Sequence, residues 1–342
     1  MEVSGFVRPK GFIRMSKLVT IYGGSGFVGR YIARRMAKDG WRVRVAVRRP
    51  NEAIFVRPYG VPGQVEPVLC NIRDDASVRS VMVGADAVIN CVGILNRSGK
   101  NTFDTVQSQG AARVARIATE LAVPHLVQLS AIGADKASDS EYARSKAEGE
   151  AAVLAAYPAA VILRPSVIFG SEDQFFNRFA GMAKMAPILP VVGADTRFQP
   201  VHVDDVAKAA VMAANGQAVP GVYELGGPDV TTFRDLMGKM LAVIHRRRLI
   251  LNVPFFVARL MGGTFDLMQT LTVGLFENKI LTRDQVKNLA RDNVVADGAK
   301  GFADLGIVPT SIDSVLPEYL WPYRPSGQYA AIKDSAKNLK KA

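Results

Sequence analysis

Short apolar runs alternate with helix-period stretches over the first two-thirds of the chain. Leu18–Tyr22 (LVTIY) is β-rich and unbroken, and it ends in Gly23-Gly24-Ser25-Gly26. A helical pattern runs from Phe27 to Asp39 and stops at Gly40. Trp41–Arg48 alternates like a strand and turns apolar at its end, and Val65–Cys70, Ala87–Cys91, Leu126–Ser130 and Ala160–Leu163 are further β-branched runs. Between them Asp75–Val83, Asp104–Leu121 and Tyr142–Ala156 carry helical periodicity. Apolar strands separated by helices predict a parallel sheet covered on both faces. The expected class is α/β, a Rossmann doubly wound parallel sheet with a smaller, mainly helical C-terminal domain. Past about Thr231 the alternation stops, and Met- and Phe-rich segments broken at Pro254 and Gly262-Gly263 take over. The expected division is a basic extension at 1–15, a Rossmann domain at 16–230, and a docking or lid region with a basic tail at 231–342.

Gly23, Gly26 and Gly29 are spaced G-x-x-G-x-x-G between the first strand and the first helix. Glycine there lets the backbone turn tightly and approach a pyrophosphate, and the free N–H groups of the helix start face the phosphates. Gly23, Ser25, Gly26, Phe27, Val28 and Gly29 are therefore candidate dinucleotide contacts. The second strand should end near the adenosine ribose. An acidic residue at that point suits NAD, whereas this chain has Arg48 and Arg49, whose guanidinium groups pair with a 2′-phosphate. The expected cofactor is NADPH. Asn71 and Ile72 follow the third strand on the adenine side, and Val92, Gly93 and Ile94 follow the fourth beside the second ribose.

Tyr142 and Lys146 lie four apart in YARSKAEGE and share one helix face. A lysine beside a phenol lowers the phenol's pKa and can hold a ribose, so the pair suits acid–base work. With GGSGFVG, LSAIGAD, YARSK, LRPSVIFG and PVHVDDVA in order over residues 16–230, the chain resembles the short-chain dehydrogenase/reductase superfamily in its extended or atypical branch. That resemblance adds Arg164, Pro165, Ser166 and Val167 to the cofactor-binding set. It also implies a catalytic triad of Tyr142, Lys146 and a hydroxyl. Ser130 ends its strand, but the position two residues later, where the extended enzymes carry the hydroxyl, is Ile132, which cannot donate a hydrogen bond.

GGSGFVGRYIARRMAKDGWRVRVAVRRP, INCVGIL, FQPVHVDDVA and VYELGGPDVTTFRDLM narrow the resemblance. They are similar to the NADPH-binding accessory subunits of respiratory complex I (NADH:ubiquinone oxidoreductase) of alphaproteobacteria and mitochondria. This implies a structural NADPH without independent turnover. It also implies docking to other complex I subunits near the membrane junction, on the cytoplasmic face of a bacterial inner membrane or the matrix face of the mitochondrial one. The competing expectation is an active NADP-dependent reductase, epimerase or dehydratase, favoured by the intact Tyr142/Lys146 pair.

Composition and charge refine this picture. Of 342 residues, 49% are hydrophobic and 22% charged, enough apolar material for a full core. The net charge of +12 is unevenly spread, with two basic ends around a slightly acidic middle, which argues against a uniformly basic nucleic-acid binder. Cys70 and Cys91 sit in apolar runs and read as buried thiols, and no cluster suggests a metal. No apolar run reaches the ~18–20 residues of a membrane span. The leader, with Arg8, Lys10 and Arg14, reads as a basic arm or an upstream start before Met15. Arg246-Arg247-Arg248 directly before LILNVPFF fits an amphipathic surface facing headgroups or a partner, and Lys337, Lys340 and Lys341 extend the basic character. The bland alternative is a lid with Phe255, Phe256, Leu260 and Met261 in its core, alongside Met237, Met240 and Met268. Asp204 and Asp205 are expected to cap a helix from Val206. His202 is expected to bond locally, and His125 and His245 to be structural or surface residues.

Overall fold

A computed structural model describes residues 16–271, 282–329 and 332. The basic leader and Lys337, Lys340 and Lys341 lie outside the described residues.

The chain opens β1 (Leu18–Tyr22), α1 (Phe27–Lys38), β2 (Arg42–Val47), β3 (Val65–Leu69), α2 (Asp75–Met82), β4 (Ala87–Asn90), α3 (Gln109–Glu120), β5 (His125–Leu129), α4 (Glu141–Ala156) and β6 (Val161–Pro165). It continues β7 (Ile168–Phe169), α5 (Phe176–Met185), β8 (Ile188–Val192), β9 (Arg197–Phe198), β10 (Val201–His202), α6 (Val203–Ala214) and β11 (Gly221–Leu225). Then come β12 (Thr231–Thr232), α7 (Phe233–Val243), β13 (Leu249–Val253), α8 (Phe255–Leu271), α9 (Arg283–Leu289) and α10 (Ile312–Tyr319).

Seven strands form one sheet in the order β11-β6-β5-β4-β1-β2-β3. Every pairing in it is parallel. β1 and β4 are buried throughout because helices cover both faces. One face packs against α1 and α6, and the other against α2, α3 and α4. The strand order reverses between β1 and β4, and crevices at such switch points receive ligands at the carboxyl ends of strands.

The expected strands are present within a residue or two. The helix expected at Asp104–Leu121 instead begins as a π-turn over Asp104–Ser108 before α3. A ten-residue 3₁₀ stretch, Pro50–Tyr59, bridges β2 and β3.

The second lobe has its own aromatic core, in which Phe169, Phe176 and Phe198 meet Phe233, Met237, Met240 and Tyr319. Its residues come from 168–202 as well as from beyond 231. Between these visits α6 and β11 return to the sheet, and Phe302, Leu305 and Ile307 later pack beneath it. The lobes thus interleave rather than meeting at one boundary near residue 230.

Two local expectations are corrected here. Helix α6 starts at Val203 with His202 as its N-cap, so Asp204 and Asp205 do not cap it. Asp204 forms a two-pronged pair with Arg35, and Asp205 accepts from Thr310 N–H and Oγ. Leu249–Val253, expected as part of an amphipathic segment, is a strand pairing in parallel with β8.

Candidate functional site

The glycine turn sits at the switch point. Gly23 adopts φ +72°, a left-handed conformation that a side chain disfavours. Its N–H donates to Ala46 O, and its carbonyl accepts from Gly26 N–H, each at 2.9 Å. Gly29 is buried against that turn: a Cβ there would stand 2.7 Å from Gly24 Cα and would collide with the Gly23 carbonyl. No side chain caps α1, and its first turn holds no acid. Its leading N–H groups are thus left for an anion, the arrangement that receives a pyrophosphate.

Arg48 and Arg49 are exposed at the end of β2. Arg49 pairs with Glu52 at 2.9 Å, leaving Arg48 the better placed of the two to meet a phosphate. Asn71 is exposed and Ile72 buried after β3, where Asn71 Oδ1 accepts from Arg73 N–H. After β4, Val92 N–H donates to Asn90 Oδ1, and Gln107 Nε2 donates to Ile94 O. Gly93 approaches Lys146 so closely that a Cβ would lie 3.4 Å from Nζ. These loops line the carboxyl edge beside the switch point.

Helix α4 brings Tyr142 and Lys146 to the same edge. Lys146 Nζ lies 5.8 Å from the Tyr142 ring centroid and donates a long bond, 3.5 Å, to Leu129 O. Ser130 Oγ is buried with no partner among the described residues. A buried lysine with one weak acceptor and an orphaned hydroxyl beside it fit the hydroxyls of a ribose. Burial lowers the Lys146 pKa to about 8. It raises Tyr142 to about 12, and the Asp284 carboxylate adds to that rise. Desolvation of the phenolate, with the Asp284 carboxylate beside it, thus moves the phenol opposite to the lowering expected from Lys146.

Other candidates are committed elsewhere. Arg164 is held by Glu150 at 2.5 Å and Glu224 at 3.3 Å, so its guanidinium is already paired within the chain. Ser166 Oγ donates to Asn293 Oδ1 at 2.7 Å, and Val167 N–H donates to the same oxygen at 3.0 Å. Asn293 Nδ2 reaches back to Ile132 O at 3.4 Å. Pro165 is buried and its carbonyl accepts from Ile132 N–H. Helix α9 docks on the start of α4, where its Asp284 accepts from Ser140 Oγ and from Glu141 and Tyr142 N–H. Asn293 and Asp284 carry no sequence motif, and contacts across about 130 residues leave no periodic trace.

Residues 19–226 match the model of the NAD dependent epimerase/dehydratase family. The chain belongs to that family. The NAD dependent epimerase/dehydratase fold is the nicotinamide-dinucleotide-binding sheet described above. Among curated relatives of this family member, the mitochondrial NADH dehydrogenase [ubiquinone] 1 alpha subcomplex subunit 9 of Arabidopsis thaliana is 35% identical, over 91% of this chain and 79% of its own. A ceramide reductase of Caulobacter vibrioides is 32% identical over 75% of this chain and 79% of its own. Among solved structures, an NADPH-dependent quinone oxidoreductase from Escherichia coli superposes with a TM-score of 0.67 at 17% identity, covering 88% of this chain and 99% of that one.

The basic–apolar segment is less simple than its sequence. Arg246 Nε and Arg248 Nε donate to Tyr323 O and Ala183 O, leaving Arg247 as the outward charge of the three. The alternative of a lid with these residues in its core is not found: Phe255 is half-buried, but Phe256 is 73% and Leu260 70% exposed, and Met261 is exposed beside them. Ile188, Leu249 and Leu251 add exposed apolar side chains on the paired strands β8 and β13. Met237 and Met240 are fully buried. Met268 lies on α8, and its side chain falls outside the described residues. His202 packs its ring against Phe169 at 5.4 Å. Among the described residues, no helix is long and apolar enough to cross a membrane.

Proposed function

We propose that the chain is an accessory, non-catalytic subunit of NADH:ubiquinone oxidoreductase that holds NADPH as a structural group. The reading rests on one observation: the phosphate-facing turn is unobstructed, with no side chain capping α1, while the hydroxyl position of the extended enzymes is taken by Ile132. Tyr142 and Lys146 then position a ribose rather than exchange protons. The similarity to the plant mitochondrial subunit over nine-tenths of the chain supports the assignment to the complex. The exposed Phe256, Leu260, Leu249 and Leu251, with Arg247 beside them, support docking at a junction between partner subunits and a membrane surface, on its cytoplasmic or matrix side. NADPH supplies stabilisation to whichever conformation binds it.

A second reading, reduction of a ceramide-class lipid, is favoured by the intact Tyr142/Lys146 pair and by the Caulobacter relative. Fractionation of native membranes after gentle solubilisation separates the two. The accessory reading expects the chain in a large quinone-reducing complex, with NADPH released on denaturation and with Tyr142→Phe leaving complex assembly and quinone reduction unchanged. A free chain whose NADPH consumption is abolished by Tyr142→Phe would establish the reductase instead.

Cofactor selectivity falls to Arg48. Arg48→Ala is expected to weaken NADPH about 10- to 100-fold, the span of one charge-assisted contact of about 1.5–3 kcal/mol. NADH affinity should stay within about twofold. Fluorescence titration at fixed moderate salt measures both, and an equal loss for the two nucleotides would refute the 2′-phosphate assignment.

A further inference from the structure

We infer that Thr282–Asn293 is a strap through which nucleotide occupancy sets the order of the exposed apolar face on α8. The strap is pinned on both sides of the cleft. At one end the Asp284 carboxylate accepts from Ser140 Oγ at 2.8 Å, Glu141 N–H at 2.7 Å and Tyr142 N–H at 3.2 Å. It therefore satisfies the leading donors of α4 and sets a negative charge at the positive end of that helix. At the other end Asn293 holds Ser166, Val167 and the Ile132 carbonyl. Between the pins, Lys287 Nζ donates to Asp139 O at 3.0 Å and Gln285 Nε2 to Asn96 Oδ1 at 3.2 Å, so α9 rests on the loops that follow β4 and β5.

The same strap grips α8. A Cβ on Gly262 would lie 3.0 Å from the Arg283 backbone nitrogen, and one on Gly263 would lie 2.7 Å from Arg283 Cζ, so the start of α9 packs its backbone on Gly262 and its Arg283 side chain on Gly263. One turn earlier α8 carries Phe256 and Leu260, four apart on one face and both exposed. Asp284 follows Arg283 directly. Adjacent residues of α9 therefore hold the nucleotide-facing helix and the helix with the apolar face. Ordering α4 around a ligand lowers the freedom of α9, and through it of α8. By reciprocity, a partner seated on α8 slows nucleotide loss. Asp284 acts as a positioning residue, since it reaches the site only through α4.

The inference rests on the reading of the cleft as an NADPH site, and the experiment separates the two. Amide hydrogen exchange is followed on the full chain with and without NADPH, and binding is titrated independently. Binding is expected to slow exchange at residues 255–264 and 283–289 by about fivefold or more. In Asp284→Ala, NADPH should still bind but exchange at 255–264 should no longer respond, while Asp284→Asn, which keeps an acceptor oxygen, should retain part of the response. Binding without slowing in the wild-type chain overturns the strap and leaves the cofactor reading intact, and slowing that survives Asp284→Ala does the same. Failure of the wild-type chain to bind NADPH overturns both. The wild-type comparison decides the matter even if the alanine variant does not fold.

Discussion

Gly29→Ala is expected to lower stability by about 2–3 kcal/mol, the cost of overpacking a closed site, and to weaken NADPH at least about 100-fold. The added methyl would sit 2.7 Å from Gly24 Cα and 3.0 Å from Gly24 C, and would collide with the Gly23 carbonyl. All of these are backbone atoms, so no rotamer change relieves the contact. Either α1 moves away from β1 or the turn opens. Both changes displace the uncapped helix start that faces the phosphates. The Gly23 carbonyl is also the acceptor for Gly26 N–H, so the displacement breaks the bond that closes the turn. Gly40→Ala provides the contrast. Gly40, unlike the helical Gly29, has a left-handed φ of +82°, and nothing lies within 4 Å of its Cβ position. That variant should cost about 1–2 kcal/mol in backbone strain and leave affinity unchanged. Thermal unfolding and nucleotide titration check both variants, and a Gly29→Ala chain binding NADPH within threefold of wild type would disprove the close-approach argument.

The contrast between these two glycines bears on what a sequence reveals. The β1–turn–α1 unit was legible because its cause is local: an apolar strand, three glycines at fixed spacing and an amphipathic helix lie within 21 residues, Leu18 to Lys38. The strands of the sheet were legible for a related reason, since burial on both faces leaves apolar runs at β1 and β4 and β-branched alternation at β2. The π-turn at Asp104–Ser108 and the strand Leu249–Val253 were not, because their periodicity resembles the helices beside them. Arg164 shows the limit for a site residue. It stands in a motif that suggests a cofactor contact, yet Glu150 from α4 and Glu224 from β11 enclose it. Only the strand order places β11 beside β6. Asp284 and Asn293 were invisible for the same reason, being single polar residues whose side-chain partners lie 126 to 161 positions away.

Lys146 and Tyr142 were read correctly as neighbours and wrongly in their electrostatics. Helical spacing gives the neighbour of a side chain but says nothing about the water removed from around it. That omission has a measurable consequence. Lys146→Met is expected to stabilise the nucleotide-free chain by about 3 kcal/mol at pH 7 while weakening NADPH about 30-fold. Burial lowers the Lys146 pKa from 10.5 to about 8, so the folded state disfavours its charged form. Between about pH 8 and 10.5 the unfolded chain binds more protons than the folded one, and stability rises with pH across that window. Below pH 8 the lysine is charged in both states and the full cost, roughly 3 kcal/mol for a shift of this size, is present. Methionine keeps most of the volume and removes the charge. Its advantage should therefore be complete at pH 7, shrink from pH 8 upward and vanish near pH 10.5. The loss of affinity has a separate origin, since an ammonium donates charge-assisted bonds worth about 1.5–3 kcal/mol and a thioether donates none. Denaturant unfolding across pH 6–10.5, paired with NADPH titration at pH 7, tests both halves. A variant less stable than wild type at pH 7 would show that Lys146 is a structural tie. A variant with unchanged affinity would place the ribose elsewhere. The expected pair of opposite signs identifies a residue retained at a cost to the fold because the ligand requires it.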